Sequence, residues 1–232
     1  LDVVDRAATN RILRKFIEGG IVSHLTRILK LQSSSAGLFD RVAELLCVVL
    51  TADRMDDSLI GSMVDCVPVV VRRLANSPGD ERMQKAGLRI LTAVTLMGNV
   101  PSQKLQDTLA PAAVLGALRL LRDNPTSLTS GLLILWKLSS YRPPLLDLQG
   151  VTGALEIMKE AVLFESYSLE NHAAILGFVA NVSDTPGLEL SDLPLRVVMD
   201  AKFDHGSQEA EEKARSITSN AMPFICTKFP EF

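Results

Sequence analysis

Ala43-Glu44-Leu45-Leu46-Cys47-Val48-Val49-Leu50 places apolar side chains at Ala43, Leu46, Cys47 and Leu50, the i, i+3, i+4, i+7 spacing of one helix face. Forty-four residues later Gly87, Ile90, Leu91 and Val94 occupy the same places. Two further steps of 44 reach Gly131, Ile134, Leu135 and Leu138, then Ile175, Phe178, Val179 and Val182. Four copies in register mark a repeated helical unit rather than chance. A small or apolar residue at the first place lets another helix approach closely, and a polar residue, Thr51, Thr95, Ser139 or Ser183, follows each stripe near the helix end.

Working outward, each long stripe follows a shorter amphipathic segment, at residues 20–29, 67–74, 113–121 and 150–158, with a fifth at 195–201. Loop punctuation separates them in two alternating series. One contains Ser33-Ser34-Ser35, Ser77-Pro78-Gly79-Asp80, Asn124-Pro125-Thr126, Glu165-Ser166-Tyr167-Ser168 and His205-Gly206-Ser207; the other contains Asp53-Arg54-Met55-Asp56, Gly98-Asn99-Val100-Pro101, Tyr141-Arg142-Pro143-Pro144 and Asp184-Thr185-Pro186-Gly187. Successive members of a series lie about 40 to 47 residues apart. No such unit buries its apolar face alone, so stability has to come from stacking on neighbours.

Composition agrees with this and excludes several functions. Of 232 residues, 47% are hydrophobic and only 5% aromatic, which calls for an aliphatic, helical core rather than a Val/Tyr/Trp-rich sheet. A net charge of −3 offers no general basic excess for nucleic acid. The three cysteines, Cys47, Cys66 and Cys226, stand apart within apolar runs, a reducing-compartment pattern that suggests the cytoplasm. His24, His172 and His205 are scattered, so no zinc-ligand spacing exists and no metal or cofactor is expected. Uninterrupted apolar stretches fall short of the roughly 20 residues that cross a bilayer. The chain starts at Leu1 already in helical pattern, as a piece of a longer protein would.

The chain resembles the armadillo-repeat family. The family pattern of Gly-x-Ile-x-x-Leu-x-x-Leu-Leu, a polar turn and a long helix ending in Asn-Leu is matched by Gly19-Gly20-Ile21 through Leu29 with Ala43 to Leu50. It is matched again by Gly150 to Met158 with Ile175 to Val182, where Asn181-Val182 stands at the Asn-Leu place. The resemblance implies an all-α fold, a right-handed alpha-alpha superhelix (an armadillo-like solenoid) of four to five three-helix repeats. One domain of 1–232 would then hold repeats near 15–53, 56–98, 102–141, 144–184 and 189–225, with residues 1–16 as a leftover helix that caps the first repeat or continues a longer array. It also implies a groove, lined by the long helices, that holds an extended or helical segment of another protein.

Peptide-binding members hold the ligand backbone with an asparagine ladder and a tryptophan one turn earlier. Here the ladder places read Val49, Ala93, Lys137 and Asn181 and the tryptophan places Leu45, Arg89, Leu133 and Gly177, so only Asn181 carries over. This disfavours a nuclear-import receptor. On a helical wheel the face opposite the stripe holds Arg41, Leu45 and Val49, then Lys85 and Arg89, then Leu133 and Lys137 with Tyr141 beyond, then Ala173, Gly177 and Asn181. The expected groove residues are therefore Arg41, Lys85, Arg89, Lys137, Tyr141 and Asn181, with a basic middle suited to an acidic partner segment. Solvated charges on a polar helix face are the plainer explanation of the same residues. Trp136, the single tryptophan, has small equivalents in Val48, Thr92 and Ala180 and is expected to pack on an adjacent repeat.

Catalytic patterns do not emerge. There is no GxSxG, GxxxxGK[ST] or GxGxxG, and Asp56-Asp57 and Glu209, Glu211 and Glu212 fit helix starts and helical runs. His172 is expected as an exposed helix-start histidine and His24 on a polar face. The reading is a non-enzymatic protein-binding scaffold with another protein as partner, no nucleic acid and no membrane span. The alternatives are a regulatory armadillo domain binding a small anionic ligand, and a structural subunit of a cytoskeletal or flagellar assembly or chaperone cofactor.

Overall fold

Each apolar stripe becomes a helix where the sequence supplies a start signal. The computed structural model describes residues 3–31, 36–50, 61, 63–96, 110–141, 146–162, 168–183 and 185–188. Among these residues are nine helices and no strand: α1 Val3–Glu18, α2 Ile21–Leu31, α3 Ala36–Leu50, α4 Val67–Asn76, α5 Glu81–Leu96, α6 Ala110–Leu120, α7 Pro125–Ser139, α8 Leu148–Ala161 and α9 Leu169–Val182. None of them is long and apolar enough to cross a membrane.

The starts are side-chain caps that satisfy first-turn amides. Asp80 Oδ1 accepts from the Met83 amide at 3.0 Å, Asn124 Oδ1 from Ser127 at 3.0 Å, Asp147 Oδ1 from Gly150 at 2.8 Å and Ser168 Oγ from Asn171 at 3.2 Å. Pro125, at the first position of α7, loses no bond because its missing N–H would have been unpaired anyway. Gly20 separates α1 from α2 with φ of 78°, a left-handed conformation a β-carbon would strain. At the end of α4 the buried Gln84 donates from Nε2 to the Leu74 and Ser77 carbonyls at 2.8 and 2.9 Å, taking up acceptors the helix leaves unpaired.

The chain divides into two compact units, Leu1–Ala113 and Val114–Phe232. In the first, α3 lies along α5, α4 packs on α5, and α2 touches α1, α3 and α4. Its interior includes Phe39, Leu46, Leu88, Ile90 and Leu91, all but inaccessible to solvent. Arg73 of α4 is buried with them: its Nη2 donates to the Leu29 carbonyl near the end of α2 at 3.0 Å, and its guanidinium lies 5.1 Å from the centre of the Phe39 ring. One side chain thus joins three helices. In the second unit α7 lies along α9, and α8 packs on α7.

The stripes do become the core. Ala43, Leu46, Ile90, Leu91, Val94, Ile134, Leu135, Leu138, Ile175, Phe178, Val179 and Val182 are buried, and Cys47 keeps partial exposure. Where the first stripe place is glycine the close approach is real. A β-carbon on Gly87 would stand 2.3 Å from Leu74 Cδ2, and one on Gly131 2.4 Å from Leu118 Cδ2. Leu74 and Leu118 are themselves 44 residues apart, so each short helix inserts the same leucine against the same glycine.

Two expectations change. Val49, read as facing away from the core, is buried, because the buried arc of α3 is wider than a four-residue stripe. His172 is buried rather than exposed, since the first turn of α9 is itself packed: Asn171, Ala173 and Ala174 are buried beside it. The expected fifth repeat at 189–225 and Cys226 lie outside the described residues.

Candidate functional site

The residues read as a groove fall into two groups, one in each unit. In the first unit the polar faces of α3 and α5 meet. Arg82 Nε pairs with Asp40 Oδ2 at 3.1 Å, Arg89 Nη1 lies 3.7 Å from Asp40 Oδ1 and 3.9 Å from Glu44 Oε1, and Arg41 Nη1 donates to Glu44 Oε2 at 2.8 Å. Lys85 Nζ lies 3.9 Å from Glu81 Oε2, one turn back on its own helix.

Four cations therefore share this face with three carboxylates, and the basic patch expected from Arg41, Lys85 and Arg89 is nearly neutralised. Asp40 is the anchor, its side chain only 14% exposed against 60% for Arg82 and 42% for Arg89. Exposed pairs of this kind contribute at most about 1 kcal/mol each, so they orient side chains more than they hold helices together. Beside them Leu45 and Val48 are half exposed, an apolar edge next to a balanced charge network.

Cys47 lies at the same contact, its thiol directed at the Arg89 carbonyl at 3.8 Å. Burial pushes that thiol up, with Arg89 pulling slightly the other way, and burial pushes Cys66 up to about 12. Both are protonated thiols at neutral pH and poor nucleophiles.

In the second unit Lys137 lies near the end of α7, Tyr141 just beyond it and Asn181 on the neighbouring α9. The Lys137 ammonium lies 5.9 Å from the centre of the Tyr141 ring, one turn along, within cation–π range. Burial raises the Tyr141 phenol above its ordinary value. Asn181 Nδ2 donates to Ser139 Oγ at 3.0 Å, and Ser139 in turn donates to the Trp136 carbonyl at 2.6 Å. The asparagine that carries over from the ladder thus spends an amide N–H on the neighbouring helix.

Trp136 packs on α9 over Gly177, as its small equivalents led us to expect. A β-carbon at 177 would stand 2.2 Å from the indole Nε1 and 2.3 Å from Cε2. Gly177→Ala is expected to displace the ring. Alanine gains about 1 kcal/mol of helix propensity, but overpacking costs about 1 to 3 kcal/mol, and a half-buried indole can swing outward. The expected result is a small stability loss with a red-shifted tryptophan emission. Trp136 is the single tryptophan, so the spectrum reports this contact alone; unchanged emission would count against the packing.

Sequence reasoning passed over Asp40, Arg73 and Gln84. A signal was present for the first: Asp40 and Arg82 are 42 residues apart, as are Cys47 and Arg89, and Ser139 and Asn181. Opposite or complementary polar residues at that offset mark side-by-side long helices. Arg73 and Gln84 carried none, because their roles depend on which carbonyls the helix ends leave open. Among the described residues no group of His, Cys, Asp or Glu is placed to hold a metal ion. No protein-family model, no curated protein and no solved structure matches the chain. It is an all-helical protein, and no family is assigned to it.

Proposed function

We propose that this chain is a protein-binding module, an armadillo-like right-handed superhelix whose long helices present a docking face to a helical or extended segment of a partner protein. The observation that carries this reading is the recurring offset. The same 42-residue step joins α3 to α5 through Asp40 and Arg82, and α7 to α9 through Ser139 and Asn181. Stacked repeats make that kind of contact, and a row of side-by-side helices is a preformed surface that costs a ligand little reorganisation of its receptor.

In the first unit the surface has an apolar edge, Leu45 and Val48, bordered by Arg41, Arg89 and Glu44. In the second it has Tyr141 under Lys137. An apolar contact bordered by charges of both signs favours an amphipathic partner segment over a purely acidic one. Affinity capture tests it, comparing wild type with Leu45→Ser/Val48→Ser and with Lys137→Glu/Tyr141→Ser. All four substitutions fall on partly exposed side chains and should leave helicity and Tm unchanged. Loss of the same protein with one pair at unchanged Tm is the expected result. Retention of every captured protein by both variants would overturn the reading. Arg89→Glu is a poorer probe, because it would place a third carboxylate beside Asp40 and Glu44 and mix docking with packing.

A further inference from the structure

The first unit opens on a charge imbalance. Residues 11–39 hold five lysines and arginines, Arg11, Arg14, Lys15, Arg27 and Lys30, against one carboxylate, Glu18, in a chain whose net charge is −3. All five cations are exposed on α1 and α2, and none makes an ion pair among the described residues. The face of α3 and α5 is different, since Arg41, Arg82, Lys85 and Arg89 each have a carboxylate within 3.9 Å. Beside the cations of α1 stand the two most exposed large apolar side chains of the described residues, Ile12 at 56% and Phe16 at 55%.

Helix geometry sets these side chains in rows. Arg11 and Lys15 are four residues apart, as are Ile12 and Phe16, so each pair spans about one turn, roughly 5 to 6 Å, and the two rows are neighbours on the helix. Leu13 and Ile17, opposite Arg11 and Lys15, are half-buried, and α1 packs on α2. α1 therefore meets solvent as a ridge, an apolar row bordered by cations. A partner helix would need a groove between neighbouring elements, which a single ridge does not offer. A nucleic acid would use the cations and leave Ile12 and Phe16 in water. A bilayer interface matches both rows at once, with anionic headgroups for the cations, whose long stems keep the charge at the surface, and hydrocarbon just beneath for the apolar pair. We infer that α1 seats this chain on an anionic membrane surface, with Ile12 and Phe16 entering the interface and Arg11, Arg14 and Lys15 on the headgroups. Arg27 and Lys30 of α2 add to the attraction. The inference involves no membrane-crossing helix and stands apart from the protein-docking reading, since none of these residues belongs to the faces tested above.

Cosedimentation of the whole chain with vesicles tests it, comparing phosphatidylcholine mixed with phosphatidylserine against phosphatidylcholine alone. Saturable binding to the mixed vesicles is expected, at least about tenfold tighter than to the neutral ones and weakened by salt. Arg11→Glu/Lys15→Glu and Ile12→Ser/Phe16→Ser should each cost at least about tenfold. All four side chains are exposed, and an unchanged Tm confirms that folding is intact. In Phe16→Trp the added indole is expected to shift its emission to the blue on the mixed vesicles, while wild type, whose single Trp136 lies in the second unit, does not shift. Poly-L-glutamate and a DNA oligonucleotide supply anions without hydrocarbon and should bind more weakly than the mixed vesicles. No saturable binding, equal binding to both vesicles, full retention by either paired variant or an unshifted indole would each overturn the assignment. So would binding of poly-L-glutamate or DNA as tight as that of the vesicles, which would give this face to an acidic protein or a nucleic acid instead.

Discussion

Replacing Gly131 with alanine is expected to destabilise the second unit by about 1 to 2 kcal/mol, although alanine is the better helix former by about 1 kcal/mol. The added methyl would meet Leu118 at Cδ2, Cγ and Cδ1, at 2.4, 2.5 and 2.8 Å. Leu118 is fully buried, so its side chain cannot rotate away into solvent; α6 must retreat from α7 or the leucine must leave its rotamer. The contact is tested by a cycle. Leu118→Ala alone opens a cavity and costs about 2 to 5 kcal/mol, and in that background Gly131→Ala should turn neutral or stabilising. Additive effects in the double variant, measured by urea denaturation, would show that the glycine is not there for Leu118. Gly87 and Leu74 form the matching pair in the first unit, and the same sign is expected there.

The second large effect is a loss of stability in mild acid through His172. Burial lowers this imidazole from its ordinary 6.5 to about 4, so the folded protein keeps it neutral where the unfolded chain takes up a proton. Above pH 6.5 neither state is protonated and the native state bears no penalty. As pH falls from 6.5 towards 4 the unfolded state gains a proton that the native state refuses, and stability drops by roughly 3 kcal/mol in total. The urea midpoint should therefore decline over this range. In His172→Leu that part of the decline should disappear, although carboxylate titration remains below about pH 5. Parallel midpoint curves for the two proteins between pH 6.5 and 5 would show that the histidine is accessible.

How much of this was legible in the sequence follows from which forces are local. A helix face is recorded by spacing, so the 44-residue stripe located the long helices α3, α5, α7 and α9 and their buried sides, and the loop punctuation at Asp80 and Asn124 holds the chain-local caps that start α5 and α7. Charges are different. Lys85 and Arg89 read as a basic face because a helical wheel shows one helix at a time. Their partners Asp40 and Glu44 sit on another helix about one repeat away, and only packing brings Arg89 within 4 Å of both. His172 was misjudged for the same reason: a polar first turn is exposed unless something covers it, and what covers it is tertiary.

The candidate sites divide along that line. Sequence alone determined that this is an all-helical chain, where its long helices lie and which side of each is buried, because periodicity and caps act within about four residues. Tertiary structure decided which polar side chains meet. It put Arg73 on the open carbonyl of Leu29, Asn181 on Ser139 and Trp136 over Gly177. A side chain's partner is set by the approach of another helix, and that distance is written into neither helix by itself.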